Sequence, residues 1–122
     1  MTKIGFIDYY IDEWHANNYP AWIRKTGRGF DVHLAWEEKP SDHGKPLAAW
    51  CAEQQVAAAS SIEQVIEECD ALVVLAPSNP EVHERLCELP LRSGKPVYVD
   101  KPFAQDLATA KRLVALAEAN NT

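Results

Sequence analysis

The sequence predicts an open, doubly wound parallel α/β sheet of about five strands with helices on both faces, three layers in all. Three observations predict it. Short apolar or alternating runs trade places with helical periodicity along the whole chain, as happens when each strand is followed by a crossover helix. Residues 71–76 (ALVVLA) are apolar at every position, as a strand is when both faces of its sheet are covered. The crossovers are short, which implies right-handed strand–helix–strand units and therefore parallel neighbours.

The elements follow in order. Residues 3–8 (KIGFID) form an apolar strand, and Trp14, Tyr19, Trp22 and Ile23 then fall at helical spacing until 26–29 (TGRG) stop the helix. In 30–36, Phe30, Val32, Leu34 and Trp36 alternate with Asp31, His33 and Ala35, a strand pattern, and 40–46 read as a polar loop. A helix spans 47 to about 55. Residues 56–59 are a short strand candidate, and Ser60, Ser61 and Glu63 mark the start of a helix over 62–69. After the 71–76 strand, 77–80 (PSNP) break the chain and 81–91 make a helix that Pro90 is expected to stop. Residues 97–99 are the last strand, and Asp106 caps an amphipathic helix over 107–118. No repeat or linker interrupts this pattern, so 1–122 is read as one continuous domain. Ligands of such sheets sit at the carboxyl ends of the strands, here near Asp8, Glu37, Ala76 and Asp100.

Composition bounds the function. Among 122 residues, 12 basic and 18 acidic side chains give a net charge of −6 with no basic block, which argues against nucleic acid. No apolar run reaches the ~18 residues of a membrane span and no signal-peptide pattern opens the chain, so a cytoplasmic protein without membrane contact is expected. Cys51, Cys69 and Cys87 are odd in number and never in a C-x-x-C pair; reduced thiols packed as small apolar groups are expected, and no metal site. Trp14, Tyr19, Trp22 and Trp50 point to core or to the interface of a homo-oligomer.

The sharpest local signal is 94–102 (GKPVYVDKP), preceded by His83 and by 70–74 (DALVV). These residues, with the helix that follows, resemble the N-terminal domain of the glucose-fructose oxidoreductase/inositol dehydrogenase/MocA (Gfo/Idh/MocA) family over most of the chain. The resemblance implies a Rossmann-like dinucleotide-binding domain with NAD or NADP as cofactor. It places the Lys of the family's E-K-P run, Lys101 here, beside nicotinamide and substrate as the catalytic candidate, with Asp100 in place of Glu. A lysine ammonium at a strand end polarises a hydroxyl. The cofactor-side candidates are Asp8, Tyr10, Glu37, Pro77, Asn79, His83, Asp100 and Pro102. His83 either touches the ligand or is satisfied locally; Asn79 offers an amide to ribose or nicotinamide. Glu37, at the end of the second strand, is placed for ribose and would favour NAD over NADP.

At the first loop the sequence departs from the family. A dinucleotide fingerprint needs G-x-G-x-x-G after the first strand, because the tight turn and the approach of pyrophosphate to backbone amides leave no room for Cβ atoms. Here Asp8, Tyr10 and Glu13 stand at those positions. Either the dinucleotide binds in a shifted pose or it does not bind. Asp8, Asp12 and Glu13 are then helix caps, or themselves a cation or polyol site. The family's second domain, which supplies the substrate pocket and usually an Asp and a His for proton transfer, is absent from the sequence. An excised domain, a truncated product and a free-standing relative all remain open.

Two functions follow. One is the nucleotide-binding domain of an NAD(P)-dependent oxidoreductase acting on a sugar or cyclitol hydroxyl, inactive as this chain alone. The other is a cofactor-free binding or dimerisation module that kept the fold. A phospho-accepting receiver domain is dismissed, because Ala59 and Ala76 stand where the central strand would need an aspartate.

Overall fold

The computed structural model describes residues 1–122. The strands are β1 (Thr2–Asp8), β2 (Phe30–Glu37), β3 (Ala57–Ala58), β4 (Ala71–Val74) and β5 (Val97–Val99). Between and after them run α1 (Trp14–Lys25), α2 (Leu47–Gln54), α3 (Ile62–Glu68), α4 (His83–Arg92) and α5 (Leu107–Ala119). All strand pairs are parallel, in the order β3-β2-β1-β4-β5. The doubly wound sheet is thus as the sequence predicts.

Two apolar layers explain the alternation of the central strands. Ile7, Leu34, Leu72 and Val74 pack with Val65, Leu86, Cys87 and Leu113 from α3, α4 and α5. Phe6, Val32 and Ala35 face the other way, against Ile11 of the loop after β1, Ala16 of α1 and Trp50 of α2. Gly5 sits under α3, where an added Cβ would lie 2.3 Å from Val65 Cγ1, so the close approach of helix to strand requires a glycine there. The three cysteines are free and buried, and burial pushes their thiols up, Cys87 to about 12.

Three expectations change. The third strand shrinks to two residues, since only Ala57 and Ala58 pair with β2. The fourth ends at Val74, because the chain turns at Ala76, which adopts a positive φ of 52°. The fourth helix is preceded by a 3-10 turn, Pro80–Val82, and runs past Pro90 to Arg92. Pro90 is buried in the core-facing side, so its packing offsets the single backbone bond it removes, as it does for Pro20 inside α1. Of the tryptophans, Trp50 is core, donating its indole N–H to Asn17 Oδ1 at 2.8 Å, whereas Trp14 and Trp22 stack edge to face on the surface, 61% and 50% exposed. No helix is long and apolar enough to cross a membrane.

Candidate functional site

The chain runs outward through β1, β2 and β3, then returns to the other side of β1 for β4 and β5. The strand order reverses between β1 and β4, and the crevice above their carboxyl ends is where such sheets take ligands. Asp8, the last residue of β1, lies there with 1% of its surface exposed. Its Oδ1 accepts from the backbone N–H groups of Tyr9 (2.8 Å) and Ala76 (3.0 Å), tying β1 to the turn after β4. Its Oδ2 has no hydrogen-bond partner. Burial, and then the charge of Glu13 beside it, push the Asp8 carboxyl well above the usual carboxylate range.

Glu13 caps α1: its carboxylate accepts from the N–H groups of His15 (2.8 Å) and Ala16 (2.9 Å). The same carboxylate meets His15 Nδ1 at 3.0 Å, which turns the other ring nitrogen toward Asp100 Oδ2 at 3.6 Å. Asp100 is 2% exposed and accepts from the Tyr98 hydroxyl at 3.0 Å. Partial burial, then the bond to this carboxylate, push the Tyr98 phenol up to about 12. The next residue, Lys101, is exposed, and so is Pro102, joined to it by a cis peptide.

Glu37 links the loop after β1 to the start of α2. Its Oε1 accepts from Ile11 N–H (3.0 Å) and its Oε2 from Leu47 N–H (2.8 Å). Asp12 accepts from Lys45 N–H and from the Asn17 amide, at 2.8 Å and 2.9 Å, and these bonds hold it below the usual range. Glu38 accepts from Nε and from one terminal nitrogen of the Arg85 guanidinium. Tyr10 and Asn79 line a cavity of about 360 Å³ with Tyr9, Lys39 and His43; the Lys39 ammonium lies 4.9 Å from the Tyr9 ring centre. Pro77, in the loop after β4, is half-buried.

His83 is wholly buried, with Nε2 2.8 Å from the Ala76 carbonyl and Nδ1 3.1 Å from the Phe103 carbonyl. A neutral ring donates to only one of the two. The ring bridges the loops after β4 and β5 from beneath, which is the locally satisfied arrangement.

The structure buries Asp8 after β1 and Asp100 after β5, leaves Lys101 exposed next to Asp100, and sets Tyr10 and Asn79 at the cavity near β2. Glu37 is turned inward between them. Sequence reasoning missed His15, Tyr98 and Lys39. Only His15 left a signal, an imidazole two residues after an acid at a helix start. No cluster of His, Cys, Asp or Glu is arranged to hold a metal ion.

A parallel sheet wound both ways from β1, with its polar rim over the reversal, is the dinucleotide-binding class of α/β architecture. Within that class, residues 15–122 match the model of the oxidoreductase family with an NAD-binding Rossmann fold, and the chain belongs to that family. The match begins after β1 and its loop. An uncharacterized oxidoreductase of Schizosaccharomyces pombe is 28% identical over 105 residues, 85% of this chain and 27% of that protein. The uncharacterized oxidoreductase YhhX of Escherichia coli is 32% identical over 76 residues, 62% of this chain and 22% of its own length. The chain thus spans about a quarter of these relatives. Among solved structures, the WlbA dehydrogenase from Bordetella pertussis, in complex with NADH and UDP-GlcNAcA, shares the fold with a TM-score of 0.78. It is 21% identical, over 98% of this chain and 32% of that one.

Proposed function

We propose that this chain is the cofactor-side part of an oxidoreductase acting on a hydroxyl of a sugar or cyclitol, in which Lys101 presents its ammonium to that hydroxyl. The observation that carries the reading is the position of Lys101. It follows β5 directly, exposed on the rim of the crevice, and its backbone is anchored by buried Asp100, whose N–H donates to the Val74 carbonyl at 2.9 Å. An ammonium there donates a hydrogen bond to the substrate oxygen and polarises its hydroxyl. The substrate class is supported by WlbA, a structure holding NADH and UDP-GlcNAcA, and the cofactor class, NAD or NADP, by family membership.

Residues of the first loop do not fit a pyrophosphate seated in the fingerprint pose. The amides of Ile11, His15 and Ala16 are bonded to carboxylates of this chain, and the Cβ-bearing residues Asp8, Tyr10 and Glu13 stand where glycines are needed. No step of the proposed chemistry is therefore routed through a dinucleotide at that loop. The same bonds favour a second reading, a binding or dimerisation module that kept the fold without the cofactor.

Lys101→Ala in the intact protein, assayed on sugars and cyclitols with NAD or NADP, lowers turnover by about 100-fold or more with circular dichroism unchanged. Undiminished turnover removes Lys101 from the chemistry. Calorimetric titration with NAD and NADP separates the two readings: saturable binding contradicts the module, and its absence contradicts the oxidoreductase.

A further inference from the structure

We infer that the loop after β1 is an anion site already filled by the protein itself, and so is closed to the pyrophosphate of a dinucleotide. A loop and helix start of this kind attract phosphate because their amides point outward unpaired and the helix dipole adds partial positive charge. In this chain four of these amides are spoken for. Tyr9 N–H is held by Asp8 Oδ1, Ile11 N–H by Glu37 Oε1, and His15 and Ala16 N–H by the two oxygens of Glu13. The three carboxylates come from β1, β2 and the start of α1, so the filling is built by the fold and not by one flexible side chain.

Two further observations make the closure firm. The Ile11 side chain is wholly buried with Phe6, Ala16 and Trp50, so the loop is pinned to the core between the held amides. Beneath it, Asp8 Oδ2 is buried without a hydrogen-bond partner and lies beside Glu13, which helps to push the Asp8 carboxyl upward. A crevice already lined by the Glu13 and Glu37 carboxylates disfavours a further double anion by like-charge repulsion. Glu37 is committed by the same geometry: an acid expected to take ribose spends both oxygens on Ile11 and Leu47. The inference goes beyond the proposed function, which concerns Lys101 on the opposite rim and stands or falls separately.

The test is an amide-resolved NMR titration of the intact protein with NADH and, separately, with inorganic pyrophosphate. Neither ligand is expected to shift the Ile11, His15 and Ala16 amides saturably, whereas Glu13→Gln shifts those of His15 and Ala16. A Glu13→Gly/Glu37→Gln double variant is expected to gain affinity for pyrophosphate by about tenfold or more. NADH binding that leaves the three amides unmoved supports the closed loop, while saturable shifts of all three overturn it. A folded double variant that gains nothing also overturns it; should that variant not fold, the titration of the unaltered protein decides. Loss of the Lys101 reading would show in turnover alone and would leave these amides as they are.

Discussion

Above β1 the chain turns its carboxylates inward: Asp8, Glu13 and Glu37 hold backbone amides of the loop. Above β5, only Asp100 turns inward and accepts from the Tyr98 hydroxyl, while Lys101 stands exposed. Both rims lie on one parallel sheet with β4 between them, so the difference is not one of fold. The β5 rim carries the run GKPVYVDKP, and the β1 rim carries Asp8, Tyr10 and Glu13. One sheet thus carries two differently built rims, which is why fold and site need separate arguments.

The largest expected effect contrasts the two buried acids. Asp8→Ala leaves the Ala76 amide buried without an acceptor and costs about 2 kcal/mol in urea unfolding, whereas Asp100→Ala frees a half-exposed phenol and a longer contact to the His15 ring, and no buried amide, and costs well under that. Equal losses would break the contrast between a rim built on its acids and one that is not.

Glu37→Ala is next. It orphans Ile11 and Leu47 amides together and is expected to cost about 1 to 2 kcal/mol, read from the denaturation midpoint. Glu13→Ala removes the α1 cap for about 1 kcal/mol. A helix as stable without Glu13 would remove the carboxylate from the cap.

The pH dependence of stability sharpens the same comparison. The Asp8 carboxyl is raised in the folded protein by burial and by Glu13. Its stabilising contribution is therefore complete below the unfolded carboxylate range near about 4 and is lost as pH rises through the folded value. Urea midpoints measured upward from about pH 4 fall in the unaltered protein, and Asp8→Asn, which keeps an acceptor for Ala76, removes that part of the fall. The smallest effect is on the other rim: ultraviolet titration shows one tyrosine ionising only at about 12, and Tyr98→Phe abolishes that step.

The fold was legible because periodicity reports local burial. The 71–76 run, the alternation in 30–36 and the caps Ser61 and Asp106 each depend on neighbours within a few residues, and the caps bond Gln64 and Thr109 as a first-turn pattern requires. The β5 rim was legible for the same reason, its residues being consecutive. The β1 rim was half legible. Asp8, Tyr10 and Glu13 were visible where glycines were expected, but Glu37 reaches Ile11 across 26 positions and Asp8 reaches Ala76 across 68, distances no local pattern encodes. Exposure of Trp14 and Trp22 was equally hidden, since helical spacing gives a shared face and not what lies opposite it.

The central claim, a β1 loop holding its own carboxylates opposite a β5 rim that presents Lys101, is tested most directly by a crystal structure of the intact protein soaked with NADH. The account predicts Glu13 and Glu37 still bonded to Ala16 and Ile11, with no pyrophosphate density within hydrogen-bond distance of those amides. Pyrophosphate density on those amides, with the two carboxylates swung away, would contradict it.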